Sequence, residues 1–380
     1  MGGSSLRRAS WLLPSFLLVA TALILSACSD DNDDSLDVLE VQVGVVQSLS
    51  GAAGIYGPSV VNGIELAVAE INEAEPAVRL SVVTEDDEST VEGGRRAFEA
   101  LVDQGVTAIL GPTLSNVALQ DMQIAQDASV PVLGVTTTAQ GVNEIGDYIF
   151  RVALTEAVVV PATIARVHED TPIEAAVLVF DSSDAFSRSS ADAMRAGLAA
   201  ISGKIVAEID VASTAIEDGL AALGAESFDT FLVTPLVNES VTILEAIRGE
   251  GYEQTVIGGN SFNTLSIAEA SHNAVEGAYV GAAWNPAVDT DASHRFVEAY
   301  TAKYGKAPDL FAAQGYSAVY LLRDALLRAG TTESASLRDA LAAIDGVETP
   351  MGVIAMSAAR EAAYQPVVQR FEDGNLVVLP

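Results

Sequence analysis

The sequence predicts an α/β protein with two doubly wound lobes, each a mainly parallel sheet with helices on both faces. Short β-branched runs alternate with helical stretches of roughly ten to fifteen residues along the chain, which is typical of βαβ units. The predicted strands are too many for one comfortable core, which favours two sheets. Ligands of such sheets bind at the carboxyl ends of the strands, so any binding site is expected there.

The elements can be followed in order from residue 39. The first strand, 41–46, is rich in valine, and after a Gly/Ser-rich loop apolar residues at helical spacing predict a helix over 58–71. The same alternation places further strands at 78–83, 108–110, 130–135, 175–180, 205–209, 231–233 and 256–258. Helices are predicted at 90–103, 157–167, 191–201 and 240–248.

Residues 1–27 have the pattern of an export signal. Arg7 and Arg8 precede an apolar run over 11–25, which is shorter than the roughly 20 residues of a membrane-spanning helix. No later stretch is long enough, so we expect no transmembrane helix in the mature chain. The single cysteine, Cys28, directly follows Leu25-Ser26-Ala27. This resembles the bacterial lipobox and implies that Cys28 is the lipidated first residue of the mature chain; a cysteine buried by chance is the alternative.

Residues 28–38 are polar and acidic, which predicts an extended tether between the anchor and the folded body. The body itself is apolar enough to fold, because the mean hydropathy of the 380-residue chain is +0.32. Its 19 Lys and Arg stand against 52 Asp and Glu, a net charge of −33. Such a surface argues against a nucleic-acid partner, which requires basic residues to neutralise phosphates.

The chain carries no common catalytic motif. It has no nucleophile elbow, no Walker A loop and no glycine-rich dinucleotide loop, so we expect neither an enzyme nor a cofactor. Its histidines, His168, His272 and His294, lack the spacing of metal ligands, and we expect no metal site. The acidic run over 85–88 is either a solvated loop, which we favour, or a cation site.

Small hydroxyl residues and glycines follow three predicted strands of the first sheet, in the loops 47–57, 111–116 and 134–138. The carboxyl ends of parallel strands share one edge, so these loops are expected to converge. Hydroxyl groups and free N–H groups at helix N-termini suit a carboxylate or another acceptor-rich ligand. The alternative is ordinary helix N-capping by Ser115 and Thr138.

A series of short motifs runs in order through residues 40–372. The series comprises Ser48-Leu49-Ser50-Gly51, Tyr56-Gly57, Asn62-Gly63, Gly111-Pro112, Phe150-Arg151, Gly258-Gly259, Gln314-Gly315-Tyr316 and Pro350-Met351-Gly352. It resembles the Leu/Ile/Val-binding family, the substrate-binding proteins of ABC importers. The resemblance implies a type I periplasmic-binding fold of two Rossmann-like lobes with a three-segment hinge, expected near 151–155, 282–286 and 356–361. Lobe 1 would comprise 39–154 and 285–358, and lobe 2 would comprise 155–284 and 359–380.

The resemblance also implies which residues bind the ligand. The family's first-lobe serine and its Ser/Ala/Thr triplet correspond to Ser115 and to Thr136, Thr137 and Thr138. Tyr56 and Phe186 correspond to aromatic residues that cover the ligand from the two lobes. Leu236 and Trp284 are predicted to line an apolar part of the pocket, with hinge packing as the alternative for Trp284.

One position departs from the family pattern. Asn260 stands where the amino-acid binders have an acidic residue that pairs with the α-ammonium group. Burying an ammonium group without a negative partner is costly. An amide, a diol or a carboxylate is therefore as good a candidate ligand as an α-amino acid.

The expected function is capture of a small polar ligand, an amino acid or a related amide or carboxylate, between two lobes that close on a hinge. We expect a monomeric lipoprotein, anchored through Cys28 to a bacterial membrane in the periplasm or at the cell surface, that delivers the ligand to the permease and ATPase of an ABC importer. A ligand-sensing module using the same cleft is the alternative. The missing catalytic residues disfavour an enzyme, and the converging hydroxyl groups disfavour a purely structural lipoprotein.

Overall fold

The computed structural model describes residues 38–224 and 227–380. The predicted signal peptide, Cys28 and the tether up to residue 37 lie outside the described residues. Two parallel sheets with helices on their faces form two lobes, as the sequence predicts. We call them the first and the second lobe, in the order in which their sheets occur along the chain.

The first lobe is built on a five-stranded sheet of order β2-β1-β3-β4-β5, in which all neighbours are parallel. Apart from the edge strand β2, its strands are largely buried on both faces because helices cover both, which explains the continuous apolar runs. Its elements are β1 (Leu39–Gln47), α1 (Gly57–Ala74), β2 (Val78–Asp86), α2 (Val91–Asp103), β3 (Ala108–Leu110), α3 (Ser115–Asp127), β4 (Val132–Gly134) and β5 (Ile149–Arg151).

The second lobe has a seven-stranded sheet, of which the strands from this part of the chain are parallel. The elements here are α4 (Glu156–Asp170), β6 (Ala175–Phe180), α5 (Ala185–Ala200), β7 (Lys204–Asp210), α6 (Ile216–Ala222), β8 (Thr230–Val233), α7 (Val237–Gly249), β9 (Thr255–Gly258), α8 (Ser266–Ala270) and β10 (Tyr279–Ala282).

The rest of the chain first returns to the first lobe, where α10 packs along α1, and then re-enters the second sheet. Its elements are α9 (Asp291–Tyr304), α10 (Leu310–Ala329), α11 (Ser334–Ala342), β11 (Val347–Thr349), β12 (Gly352–Met356), β13 (Ala362–Ala363), β14 (Val367–Glu372) and β15 (Asn375–Val378). The hairpin of β14 and β15 is antiparallel and gives the second sheet the order β15-β14-β10-β9-β8-β6-β7.

Two glycines bring α1 and α10 unusually close. A Cβ atom on Gly63 would lie 2.0 Å from the carbonyl oxygen of Ala312, and one on Gly315 would lie 2.3 Å from that of Val60. Neither position has room for a side chain. The close approach fixes the start of α10, which contributes a residue to the pocket described below.

The chain passes between the sheets at 152–155, 283–290 and 357–366. The first and third passages touch, because Arg151 and Glu361 form an isolated parallel bridge and their side chains form an ion pair. The buried Arg151 guanidinium group also donates to the Ala139 carbonyl and to Asn143 Oδ1. This cation holds two hinge segments together. The lobe boundaries given above stay a prediction.

Candidate ligand-binding site

The carboxyl ends of β1, β3 and β4 face those of β8 and β9 across a pocket between the lobes. The cavity that remains between its walls has a volume of about 30 Å³, so the two lobes lie close together around it. Both lobes contribute, and no charged side chain lines the wall as far as the structure describes it. The lining residues are Tyr56, Thr113, Leu114, Ser115, Thr136, Thr138, Phe186, Leu236, Asn260, Ser261 and Phe311.

The polar side of the first lobe is formed where α3 begins. Leu114 is the N-cap residue of α3 and makes no side-chain capping bond, so the first N–H groups of the helix keep their donor capacity. Ser115 is the first helical residue, and its hydroxyl oxygen accepts from the N–H of Ala139 at 3.3 Å. The alternative that Ser115 acts only as the N-cap of α3 is therefore wrong, because its hydroxyl group is hydrogen-bonded to the neighbouring loop at Ala139.

The loop 136–138 after β4, which we call the threonine loop, supplies the rest of the polar side. Thr136 Oγ1 donates to the carbonyl of Thr113 at 2.9 Å, which ties the loops after β3 and β4 together. Thr138 is buried, and its hydroxyl group lies against the Glu156 carboxyl group, whose pKa it acts to lower. Capping by Thr138 is thus wrong as well.

Two residues named from the sequence do not line this pocket. Thr137 is buried beneath β4, where its Oγ1 would lie 2.7 Å from a Cβ atom on Gly134. Trp284 is buried in the passage after β10; its Nε1 donates to Ser293 Oγ at 3.0 Å and its ring packs edge-on against Phe296. These contacts agree with the hinge-packing alternative for Trp284.

Aromatic side chains form the apolar side. Tyr56 packs against Phe311 with ring centroids 4.9 Å apart, and Phe186 adds a ring from the second lobe. The Tyr56 hydroxyl group donates to the Ser261 carbonyl at 3.4 Å and accepts from the N–H of Val237 at 3.3 Å. Burial raises the pKa of Tyr56, so this ring joins the two lobes as a neutral phenol.

Sequence reasoning missed four lining residues. Thr113 and Leu114 lie within the strand-end loop 111–116 but were not singled out in it, and Ser261 directly follows Asn260. Phe311 had no local signal. It lies in the first turn of α10 and reaches the pocket through the packing of α10 on α1.

A carboxyl group lies directly behind the pocket wall. Glu156, in the first turn of α4, accepts from Ser190 Oγ at 2.7 Å, and its N–H donates to the Thr138 carbonyl at 3.3 Å. Burial is the main cause that raises the pKa of Glu156 to about 7, although the Ser190 hydroxyl group opposes it. A Cβ atom on Gly259 would lie 3.4 Å from its Oε2, so this group sits between the threonine loop and the loop after β9.

Direct hydrogen bonds join the lobes beside the pocket. Asn116 in α3 donates through Nδ2 to Asp184 Oδ2 at 2.7 Å, and its Oδ1 accepts from the N–H of Ala185 at 2.8 Å. Asp184 Oδ1 accepts from the N–H of Ser187, so the start of α5 is capped from both lobes. We call Asn116, Asp184 and Ala185 the inter-lobe clasp.

Two α/β lobes that enclose a pocket between them define the chain as a binding protein of the two-lobe type. Residues 40–370 match the periplasmic binding protein family, and the chain belongs to that family. This confirms the family predicted from the sequence, and no grouping of metal-ligating side chains occurs among the described residues. No helix in the described ranges 38–224 and 227–380 has the length and apolarity to cross a membrane.

Similarity to individual proteins agrees with this family assignment. The chain is 27% identical over 294 residues to Leu/Ile/Val-binding protein homolog 8 of Brucella abortus, covering 71% of each chain. It is 25% identical over 326 residues to Leu/Ile/Val-binding protein BraC3 of Rhizobium johnstonii, covering 83% of this chain and 86% of the relative. It also resembles the isoleucine complex of the branched-chain amino acid transporter substrate-binding protein LivJ of Streptococcus pneumoniae. That structure superimposes with a TM-score of 0.82 at 25% identity, over 90% of this chain and 99% of the other.

Proposed function

We propose that this chain is the extracytoplasmic solute-binding lipoprotein of an ABC importer, and that it captures a small polar ligand between its lobes. The ligand class is an amino acid or a related amide or carboxylate. The observation that carries the proposal is the pocket itself, where the uncapped start of α3 faces aromatic rings from both lobes. Donors at one end and apolar walls at the other suit a small acid with an apolar tail.

Capture works by closure of the lobes. Ser115, Thr136 and Thr138 would hold the polar end of the ligand on the first lobe, while Phe186, Leu236 and Asn260 cover it from the second. Such closure presents a shape that a permease can distinguish from the open one. The names of the relatives, Leu/Ile/Val-binding proteins and a branched-chain amino acid transporter component, support delivery to an importer.

A thermal-shift screen of the purified chain against amino acids, amides, polyols and carboxylates tests capture, because a ligand that binds only the folded state raises Tm. Ser115→Ala should then weaken binding of any hit by about tenfold, the loss of roughly one hydrogen bond to a charged group. Ser81→Ala, an exposed serine of the edge strand β2, is the matched control and should bind normally. If no compound raises Tm, capture of such ligands is refuted.

The lipid anchor rests on the lipobox at Cys28. Cys28→Ser should move the protein from the membrane fraction to the soluble extracytoplasmic fraction, since stable anchoring depends on the acyl chains. Continued membrane association of that variant would contradict the anchor.

A further inference from the structure

The polarity of the second-lobe wall is set by a chain of buried amides that runs into it from the hinge. Asn285 follows β10, Gln369 lies in β14, Asn263 follows β9, and Asn260 lines the pocket. We call these four residues the amide chain. Asn285, Gln369 and Asn263 are buried, so their donors and acceptors must be paired within the protein.

Each amide in the chain donates to the oxygen of the next. Asn285 Nδ2 donates to Gln369 Oε1 at 2.6 Å, Gln369 Nε2 donates to Asn263 Oδ1 at 2.7 Å, and Asn263 Nδ2 donates to Asn260 Oδ1 at 3.0 Å. The direction of donation is the same at every step. The hydrogen bond at the pocket end of the amide chain is therefore accepted by Asn260 Oδ1.

Backbone groups at both ends fix this direction. Asn285 Oδ1 accepts from the N–H of Ala287 at 2.8 Å, and a backbone N–H can only donate. Asn263 Nδ2 also donates to the carbonyl of Gly281 at 2.9 Å, and a carbonyl can only accept. Turning either amide over would set donor against donor or acceptor against acceptor. The Asn260 oxygen is thus held by Asn263, and its NH₂ group is what remains for the pocket.

From this arrangement we infer that the part of the ligand facing Asn260 is a hydrogen-bond acceptor, and that the protein selects carboxylic acids bearing a 2-oxo group over the matching α-amino acids. This inference rests on the proposed function and specifies its ligand. A 2-oxo acid offers a carbonyl oxygen where the amino acid carries an ammonium group. The ammonium group would meet a donor at Asn260 and no carboxylate among the described lining residues, since the nearby Glu156 carboxyl group lies behind the wall and is bonded to Ser190. Burying an ammonium group in that way is costly.

Matched ligand pairs test the inference directly. The pairs are leucine with 4-methyl-2-oxopentanoate, phenylalanine with phenylpyruvate, and alanine with pyruvate, each measured by isothermal titration calorimetry with the purified chain. Within the pair whose tail fits best, we expect the oxo acid to bind at least tenfold more tightly than the amino acid. Tighter or equal binding of the amino acid overturns the inference and leaves the proposed function standing.

A negative charge introduced at Asn260 sharpens the test. Asn260→Asp supplies an acceptor of nearly the same shape, so amino-acid affinity should rise and oxo-acid affinity should fall, reversing the order of the pair. Asn263→Ala frees the Asn260 oxygen without adding charge and should bring the two affinities together. Asn273→Asp adds the same charge at an exposed position of the second lobe and should change neither.

The remaining outcomes are also decisive. If all three pairs fail to bind while another compound raises Tm, the inferred ligand class is wrong but capture stands. If no compound binds, the proposed function itself fails. Should Asn260→Asp not fold, the wild-type comparison within each pair still decides.

Discussion

Glu156 couples the two loops that meet behind the pocket, and it does so as a carboxyl group that titrates close to neutral pH. Its backbone N–H holds the threonine loop of the first lobe, while its side chain is bonded to Ser190 of the second. Burial raises its pKa from 4.5 to about 7. The protonation state of this residue therefore affects the stability of the junction between the lobes.

We predict that Glu156→Gln removes part of the pH dependence of stability. Because the folded pKa is raised, the stability from this group is fully present below pH 4.5 and is lost as pH rises to about 7. At pH 8 the variant should be more stable than the wild type, by at most about 3 kcal/mol, whereas at pH 4.5 the two should be similar. Chemical denaturation at both pH values measures the difference.

Glu169→Gln is the matched control, because Glu169 lies in the same helix with an exposed side chain. It should leave the pH profile of the wild type unchanged. Parallel profiles for the wild type and Glu156→Gln would contradict a buried carboxyl group of raised pKa at this position.

Residues that line the pocket could be named from the sequence where local order decides their position, whereas residues placed by distant contacts could not. Ser115, Thr136 and Thr138 could be found because they follow strands whose carboxyl ends must share an edge. The amide chain could not, since Gln369 and Asn263 are 106 positions apart. No spacing rule links two such amides before the second sheet is assembled.

At the level of elements, the starts of α3 and α5 meet across the pocket in the inter-lobe clasp. Asn116 accepts from the N–H of Ala185 and donates to the carboxylate of Asp184. Separating the lobes would break both hydrogen bonds and leave three polar groups, the Asn116 amide, the Ala185 N–H and the Asp184 carboxylate, without these partners. The contact lies outside the pocket lining. It therefore contributes to closure without contributing a ligand contact.

We predict that Asn116→Ala weakens ligand affinity by about tenfold through faster dissociation. The variant loses two hydrogen bonds that exist only when the lobes meet, one of them to a charged group, so the closed form is less stable relative to the open one. Stopped-flow dissociation measurements check the rate, and small-angle scattering checks the loss of compactness. Gln123→Ala, on the exposed part of the same helix, should dissociate like the wild type; an unchanged rate in Asn116→Ala would refute the role of the clasp.

The alternation of strands and helices was predictable for the parallel part of each sheet, because buried strands and their covering helices have distinct apolar periods. The predicted strand 130–135 is shorter in the structure, over Val132–Gly134. The hairpin of β14 and β15 was not predicted, although Asp373-Gly374 between two β-rich runs is a common hairpin turn and both residues have positive φ.

At the scale of the whole molecule, the dominant property is the acid excess. The net charge of −33 is spread over a chain whose surface has many carboxylates and few cations to pair with them. Mutual repulsion of like charges destabilises a compact state. Salt weakens this repulsion, since the Debye length falls from about 30 Å at 0.01 M to about 8 Å at 0.15 M.

We predict that Tm rises by several degrees between 10 mM and 500 mM NaCl at pH 7.5. The rise should be smaller at pH 4.5, close to the sequence pI of about 4.1, because fewer carboxylates are then ionised. Differential scanning calorimetry at the two pH values separates screening from a general salt effect. An equal rise at both would show that charge repulsion is not the cause.

The path of the chain also has a consequence for biosynthesis. The helix that covers α1 starts only at Leu310, and β14 joins the second sheet only at Val367. A ribosome that has reached residue 282 has therefore made every strand of the first sheet and all strands of the second except β14 and β15, but has completed the burial of neither sheet. Each lobe needs a segment that is synthesised late in order to complete its core. The two lobes therefore reach their native packing nearly together, close to the end of translation. Neither lobe can be excised as one continuous fragment.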